Sequence, residues 1–437
     1  MLKSFRIILP VLILSAVLCC YSRQAFAQKA DYSRCEGKNI KEIRIIGANK
    51  TKHYIILREL YSSVGQPFSV KNVVRDDQSL DKLGIFSYVN IYPIEEEGEV
   101  VLVIDVKETI RYLPVVSMSI SDENGISIGG GLKSVNMFGR AIQFSGVALF
   151  GGATTIEFRL KDPWVTGNHF GYTAEYYHRD RDNELYGFHE ISDEPSLILS
   201  NYIGQNGRMR LLIGYQYITS DQPGKTLSDN NKDNVITLGY TLGTDTRDYV
   251  NNPHSGWWTE FGIERAWNLD VSEAFWRGII DVRRYVSLGG SHILAIFSLA
   301  TLTTGTVGKD VAVWQQFGLG GTNSIRGWDL GSEIGKNQFI NTLEYRYNVI
   351  EPKNVELWGM NTPMGLQIAV FGDLGAAWNM PDEFKHKFIG GGGIGLRLLI
   401  AYVGMVRFDF GMGQPGGKLS VHIGSGAKDD RQRERVR

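Results

Sequence analysis

The most informative part of the sequence is Ser324-Ile325-Arg326-Gly327-Trp328-Asp329-Leu330-Gly331-Ser332-Glu333-Ile334-Gly335, which lies between two runs of alternating apolar residues. Its glycines permit a tight fold, and its aspartate and serines can bond to nearby backbone groups. The guanidinium of Arg326 carries five donors and needs carboxylate or carbonyl partners. We therefore expect a structured loop that docks against another part of the chain.

Two strands predicted downstream supply candidate partners for this loop. Successive residues of a strand point to opposite faces, so Glu344 and Arg346 share a polar face while their neighbours form an apolar one. The same parity places Asp373 on the polar face of the next strand. A loop that folds back along these faces can place Arg326 against Asp373 or Glu344 as a charge-assisted pair.

These residues also carry a family resemblance. Ile325-Arg326-Gly327-Trp328 resembles the (Val/Ile)-Arg-Gly-(aromatic) loop signature of the BamA-like outer-membrane assembly and translocation superfamily. Leu343-Glu344-Tyr345-Arg346 and Phe371-x-Asp373-x-Gly375 are similar to two strands of that family, in the same order. The resemblance implies a loop that enters the lumen of an outer-membrane barrel, where its arginine contacts the aspartate strand.

The N-terminal residues 1–27 have the pattern of a secretory signal. Lys3 and Arg6 precede an apolar run, and Ala25-Phe26-Ala27 offers a cleavage site. Cleavage there leaves Cys35 as the single cysteine, so we expect no disulfide framework. It also makes the chain more acidic than the full-length net charge of −1, which gives nucleic-acid binding no support.

After an expected linker at 28–37, residues 38–110 predict a small α+β domain. Apolar periodicity indicates the order strand, helix, helix, strand, strand. The region resembles a POTRA domain, including Gly84-Ile85-Phe86-Ser87 before its second strand. Its open sheet edges could add an extended peptide as a further strand, or the domain could only anchor a barrel rim, and the sequence leaves both open.

From 111 to 427 the sequence repeats strands and turns, and 428–437 is a charged tail. At about ten residues per tilted strand this length accommodates about 16 strands. Charges recur on one parity, as in 155–160 and 208–215. Because a charge facing lipid is costly, we expect a transmembrane antiparallel β-barrel with the charges in its lumen, in a mainly β protein.

The two ends of the predicted barrel must meet to close it. The first strand begins at Leu113 and ends at Ile120, and the last presents Leu419, Val421 and Ile423 outward between many glycines. Glycine packs little, so this seam should be weak. In the resembled family a weak seam is a proposed lateral gate; the alternative is an ordinary short last strand.

Other motifs indicate no catalysis. Gly125-Ile126-Ser127-Ile128-Gly129 matches a hydrolase pattern but lies in a predicted hairpin without the required helix. The glycine–lysine motif at 305–310 lacks the full phosphate-loop spacing. The histidines lack ligand spacing, so we expect no metal, no cofactor and no enzyme activity.

The predicted function is insertion of β-barrel clients into the outer membrane through the seam, with the POTRA-like domain in the periplasm. The expected partners are unfolded outer-membrane or secreted polypeptides, the lipid bilayer, and periplasmic chaperones or accessory lipoproteins. One alternative is a pore that secretes a polypeptide through the lumen. Another is a passive diffusion channel, which gives no reason for the POTRA-like domain or the arginine loop.

Overall fold

The computed structural model describes residues 32–121, 124–166, 169–204, 206–248, 252–357, 360–400 and 404–425. The predicted signal at 1–27 and the predicted tail at 428–437 lie outside the described residues. No helix among the residues described is long and apolar enough to cross a membrane.

Contacts divide the chain into two compact units. Among the described residues, one consists of 32–44, Tyr61–Asp76 and Ile91–Ile104, and the other of Ile45–Leu60, Asp77–Asn90 and the described part of 105–425. The division passes through the region predicted as a small α+β domain, and the larger unit holds the long sheet described below.

The N-terminal elements follow the order strand, helix, helix, strand, strand. They are β1 Ile40–Ile46, α1 His53–Leu57, α2 Val70–Lys82, β2 Phe86–Glu96 and β3 Glu99–Glu108. The sheet order is β1-β3-β2, which leaves β1 and β2 at its edges. The central β3 carries a continuous buried run, Val100-Val101-Leu102-Val103-Ile104, which is typical of a strand covered on both faces.

The first helix is shorter than the sequence predicts. Periodicity predicts a helix over 52–62, but α1 ends at Leu57. Beyond it, the backbone N–H of Tyr61 donates to the carboxylate of Asp76 over 2.5 Å instead of to a carbonyl one turn earlier. A side-chain acceptor thus replaces the helical hydrogen bond and turns the chain.

The rest of the described chain is almost entirely strand. The strands are β4 Tyr112–Ser121, β5 Gly125–Met137, β6 Ile142–Gly151, β7 Ala153–Thr166, β8 Phe170–Asn183, β9 Phe188–Ile203, β10 Gly207–Ser220, β11 Lys232–Asp245, β12 Gly256–Asn268, β13 Glu273–Gly289, β14 His292–Thr303, β15 Phe317–Leu319, β16 Glu333–Gly335, β17 Asn337–Leu357, β18 Met360–Trp378, β19 Phe388–Ile400, β20 Gly404–Met412 and β21 Leu419–Ser425. The short β15 and β16 pair only with each other.

Sixteen of these strands form one antiparallel sheet that curls into a nearly closed barrel, as the sequence predicts. Its hydrogen-bonded order runs from β4 to β14 and continues through β17 to β21. Among the described residues, β4 and β21 stand at the two ends of this order and approach within 8 Å between Cα atoms. Within the described residues, neighbouring strands of the wall are thus joined by hydrogen bonds everywhere except between the first strand and the last.

The two faces of the wall differ as strand parity requires. Along β13, Arg277, Asp281 and Arg283 are buried inside, whereas Trp276 and Ile280 are about half exposed outside. Charges therefore collect on the inner face and large apolar side chains on the outer one. This distribution suits a barrel whose outer surface contacts hydrocarbon.

Candidate functional site

Arg326 lies at the tip of the loop between β15 and β16, and its side chain is fully buried. Its Nε and Nη2 atoms donate to the two carboxylate oxygens of Asp373 over 2.7 and 3.0 Å. Its backbone N–H donates to Oδ2 of the same residue over 3.1 Å. The bidentate geometry offsets the hydration that both charges lose on burial.

Glu344 of β17 links this loop arginine to two more arginines on the wall. It accepts from Nη1 of Arg326 over 2.9 Å, from Nε of Arg346 over 2.9 Å and from Nη2 of Arg397 over 2.6 Å. All four side chains are almost completely inaccessible to solvent. The carboxylate is therefore held from three directions.

Asp409 of β20 completes the charge network. Its Oδ2 lies 2.9 Å from Nη1 of Arg407 and 3.3 Å from Nη1 of Arg326. The buried ion cluster, as we call it, consists of Arg326, Arg346, Arg397, Arg407, Glu344, Asp373 and Asp409. Four arginines face three carboxylates, so the formal charge is positive. Among the residues described, no group of histidine, cysteine, aspartate or glutamate side chains is arranged to hold a metal ion.

Apolar contacts surround the charged tip of the loop. The guanidinium carbon of Arg326 lies 3.3 Å from the ring centroid of Phe371, a cation–π contact. A Cβ at Gly375 would lie 2.8 Å from Cδ1 of Ile325, so the wall needs glycine there. Ile325 is fully buried in an apolar cluster with Ile279, Leu299, Leu319, Ile340, Ala377 and Ile389.

The residues after Arg326 fasten the loop to the last strands. Gly327 adopts a φ of 91°, in the region that favours glycine, and its N–H donates to Nε2 of His422 over 2.9 Å. Because Nε2 accepts, a neutral His422 carries its proton on Nδ1. The indole N–H of Trp328 donates to the carbonyl of Gly390 over 2.8 Å. The tripeptide Arg326-Gly327-Trp328 thus contacts each strand from β17 to β21.

Glycines on β19, on β20 and just after β20 leave a flat surface on which the loop backbone lies. A Cβ at Gly391 would overlap the carbonyl oxygen of Arg326, and one at Gly411 would lie 2.8 Å from the nitrogen of Gly327. A Cβ at Gly413 would overlap the Trp328 ring. The loop backbone can therefore lie directly against the wall only where the wall has no side chains.

Several members of this site were missed by the sequence analysis. Arg397, Arg407, Asp409 and His422 all face the interior, and each is a polar residue between two large apolar neighbours. That pattern is the signal that could have identified them. The family motifs end at Gly375, before these strands begin, so the resemblance does not point to these residues.

The residues predicted at the seam lie on β4 and β21. Leu419 and Val421 are more than half exposed on the outer face, as expected of lipid-facing positions, and Ile423 shares their parity. Leu113 of β4 has the opposite parity to the exposed Tyr112 and Val116, so it faces inward. The backbone of Ile120 belongs to β4.

A second charged group occurs at the turn between β11 and β12. Asp245 accepts from Nη2 of Arg208 over 2.6 Å and from Nε of Arg247 over 2.9 Å. Both guanidinium groups lie over the buried ring of Trp258, at 4.2 and 4.8 Å from its centroid. These contacts hold the turn against the inner wall, and the sequence motif alone did not predict them.

Family models match both parts of the chain. The Omp85 superfamily domain matches residues 136–426, and a POTRA model, described as a surface antigen variable number repeat, matches residues 38–109. The first covers more than half of the chain and includes the loop, its partner strands and the last strand.

Two similar curated proteins are named outer membrane protein assembly factor BamA. The one from Nitratidesulfovibrio vulgaris is 24% identical over 388 residues, which are 80% of this chain and 46% of that protein. The one from Neorickettsia risticii is 25% identical over 307 residues, which are 66% of this chain and 40% of that protein. The chain spans less than half the length of these relatives.

Solved structures share the fold at low identity. BamA from Haemophilus ducreyi, solved without POTRA domains 1–3, aligns with a TM-score of 0.62 and 16% identity, covering 88% of this chain and 83% of that one. CdiB from Escherichia coli aligns with a TM-score of 0.59 and 14% identity, covering 91% and 78%. The chain therefore belongs to the Omp85 superfamily, as an outer-membrane β-barrel protein with a periplasmic POTRA domain.

Proposed function

We propose that this chain inserts β-barrel clients into the outer membrane, and that a client strand pairs with the wall at the junction of β4 and β21. Two relatives are named assembly factors, and the family match covers the barrel. Since the chain spans under half of those relatives, their activity is a proposal for this protein.

The order of strands in the sheet carries the proposal. Every neighbouring pair from β4 round to β21 is registered by hydrogen bonds, and these two end strands have no such register in the described part of the chain. β21 has only 7 residues, whereas β13 has 17. A short strand with free backbone groups is a template on which an incoming strand can form hydrogen bonds.

The loop around Arg326 supports such a seam by bracing the strands beside it. Its ion pairs reach β17, β18 and β20, and Gly327 reaches His422 of β21. With these contacts in place, β21 can separate from β4 while staying attached to its own neighbours. We assign the loop this bracing role and no chemistry.

The POTRA domain, proposed to span 38–110, would receive the client. Its sheet has edges at β1 and β2, and an exposed edge can add an extended polypeptide by backbone hydrogen bonds. Unfolded outer-membrane polypeptides are the proposed ligands. Periplasmic chaperones or accessory lipoproteins are proposed partners of the same surface.

The test is reconstitution of the protein in liposomes with an unfolded outer-membrane barrel as client. Folding of the client is followed by its protection from protease. In a Cys35→Ser background, a panel of cysteine pairs joins β4 to β21, since the best-placed pair depends on Cβ geometry. The proposal expects accelerated client folding that each formed cross-link abolishes and reduction restores.

The matched control carries Gly214→Cys and Thr237→Cys, which face each other in the registered pair β10–β11. This cross-link adds the same chemistry without closing the seam and should leave client folding accelerated. Client folding that stays fast with a locked seam, or no acceleration by any form, would refute insertion through the seam.

Translocation of a polypeptide through the lumen is a second candidate. It is favoured by the inner face of β7, where Glu157 and Arg159 keep 35% and 44% of their side-chain surface exposed. This part of the lumen is thus wet and charged. A locked seam should leave translocation intact, so the same cross-linked protein separates the two functions.

A further inference from the structure

The outer face of β12 and β13 is mostly apolar, and its only charged residues in these two fully described strands are two arginines. Its exposed positions on β12 include Trp257, Phe261, Ile263 and Trp267, and on β13 they include Trp276 and Ile280. Arg265 and Arg284 share the parity of these residues and so point outward. A guanidinium on a lipid-facing wall is costly at the bilayer midplane but not at the interface, where it lies among the phosphates of the headgroups and is attracted to anionic lipid.

Both arginines lie against tryptophan rings. The guanidinium carbon of Arg265 is 5.1 Å from the ring centroid of Trp276 and 5.8 Å from that of Trp267. That of Arg284 is 4.8 Å from the ring centroid of Trp257. Tryptophan concentrates where hydrocarbon meets headgroups, so these rings mark the two interfaces of the bilayer.

Neither outward arginine has a carboxylate partner within ion-pair distance among the described residues. The contrast with the next residue is direct, because Arg283 points inward and is paired with Asp281. Arginines inside the barrel are thus paired with protein carboxylates, whereas Arg265 and Arg284 are available to pair with an external anion.

The spacing of the two sites matches the thickness of a membrane. Trp257 pairs with Arg284 across the strands, and Arg265 pairs with Trp276 eight residues along β12. At about 3.4 Å per residue and a tilt of about 40°, the two pairs are separated by roughly 20 Å along the membrane normal. That separation is close to the apolar band of about 25 Å that outer-membrane barrels present.

The chain direction assigns each site to a leaflet. The chain enters β4 from the periplasmic domain, so even-numbered strands from β4 to β14 run outward. β12 therefore begins on the periplasmic side, near Trp257 and Arg284, and ends on the extracellular side, near Arg265. One arginine lies at the headgroups of each leaflet.

We propose that Arg265 and Arg284 bind the phosphates of anionic lipids, one site in each leaflet. A guanidinium forms paired hydrogen bonds to phosphate oxygens, and the flanking indoles place their N–H groups at the same depth. Acyl chains of the same lipid would cover the exposed Phe261, Ile263 and Ile280 between the sites. A free phosphate would gain only the single cation, so the ligand is a lipid.

The test uses full-length protein in phosphatidylcholine vesicles that contain a trace of spin-labelled phosphatidylglycerol or, in parallel, spin-labelled phosphatidylcholine. The motionally restricted fraction gives the preference of the barrel for the anionic lipid. Arg265→Gln and Arg284→Gln should each lower this preference about fivefold at one site, and the double variant should abolish it. Label confined to one leaflet should respond to only one of the two substitutions.

Arg159→Gln is the control, because Arg159 faces the lumen and pairs with Glu175 over 2.8 Å. It should leave the lipid preference unchanged, and Arg265→Lys should retain most of it. Equal preference in the wild-type protein and the double variant would overturn the proposal. So would displacement of labelled lipid by millimolar inorganic phosphate, which would indicate a general anion site.

Discussion

Arg326 lies at the centre of the buried ion cluster and contacts all three of its carboxylates. It bonds to two carboxylates, lies 3.3 Å from a third and stacks on Phe371, with none of its surface exposed. Removing its guanidinium leaves the buried carboxylate of Asp373 without the cation that bonds to both of its oxygens. The loss of stability is therefore larger than that caused by breaking an ordinary surface ion pair.

Arg326→Ala should lower the free energy of unfolding by about 3–5 kcal/mol. The expected readout is a lower temperature for the heat-modifiable shift of the folded barrel on a gel. Arg326→Lys keeps the charge but loses the planar fork, so its transition temperature should lie between those of Arg326→Ala and the wild-type protein.

The matched substitution is Arg159→Ala, also on the inner wall but 44% exposed. Its exposed ion pair should contribute no more than about 1 kcal/mol. A wild-type transition temperature in the Arg326 variant would contradict the bracing role of the loop.

The stability of the protein should depend on pH because of Glu59, which lies outside the membrane-spanning strands. Burial raises the pKa of its carboxyl to about 7, and the nearby Arg58 only partly opposes this shift. The folded state therefore holds the proton more tightly than the unfolded chain. The resulting stability is fully present below pH ~4.5 and is lost as pH rises through about 7.

Glu59→Gln should thus stabilise the protein at pH 8 by up to about 3 kcal/mol and have no effect at pH 4. Thermal unfolding followed by tryptophan fluorescence at both pH values measures the difference. Glu95→Gln, at an exposed carboxylate, serves as the control. A pH-independent effect of the Glu59 substitution would show that packing, not charge, is responsible.

The sequence could predict part of this site and not the rest. Strand parity offered Glu344 and Asp373 as partners for Arg326, and both lie within hydrogen-bond distance of it in the structure. Parity states which face a residue occupies, but not which strands curl round to meet. The contacts to Asp409 and His422 depend on closure of the wall, so no local pattern could pair them with the loop.

Strands were predictable in number but not in length. The fold class follows from the charge parity and the number of about 16 strands from the length of 111–427, and the structure confirms both. β17 and β18 are longer than expected, because they stay paired with each other as far as Leu357 and Met360. Their register shifts twice after Asn348, and these irregularities accommodate the proline and charged residues of this segment.

Gly391→Ala should destabilise the barrel by about 1–3 kcal/mol, because β19 lies directly beneath the loop backbone. A Cβ there would overlap the Arg326 carbonyl, and the loop would have to lift from the wall. Gly372→Ala on β18 is the matched control, since nothing lies within 4 Å of a Cβ at that position. Equal transition temperatures for the two variants would argue against close loop packing.

The lumen of the barrel is filled by the Arg326 loop on one side and accessible to water on the other. Loop residues contact the walls formed by β13, β14 and β17 to β21, while charged side chains of β7 remain exposed inside. Replacing residues 321–330 by a short Gly-Ser linker should therefore widen the lumen. Single-channel conductance in planar bilayers should rise severalfold over the wild-type value.

The Arg326→Ala variant is the comparison for this experiment. It removes the ion pairs but keeps the loop, so its conductance should rise less than that of the excised protein. Unchanged conductance after excision would mean that the loop does not fill the conducting path.

The contacts of the Arg326 loop also constrain the order in which the barrel can fold. Arg326 is 18 residues from Glu344 and 47 from Asp373, and Gly327 is 95 from His422. Contacts so distant along the chain form late, since the intervening loop entropy must be lost first. A nascent chain that has not yet folded its final strand cannot seat this loop. A docked loop therefore distinguishes a fully folded barrel from one whose C-terminal strand has not yet folded.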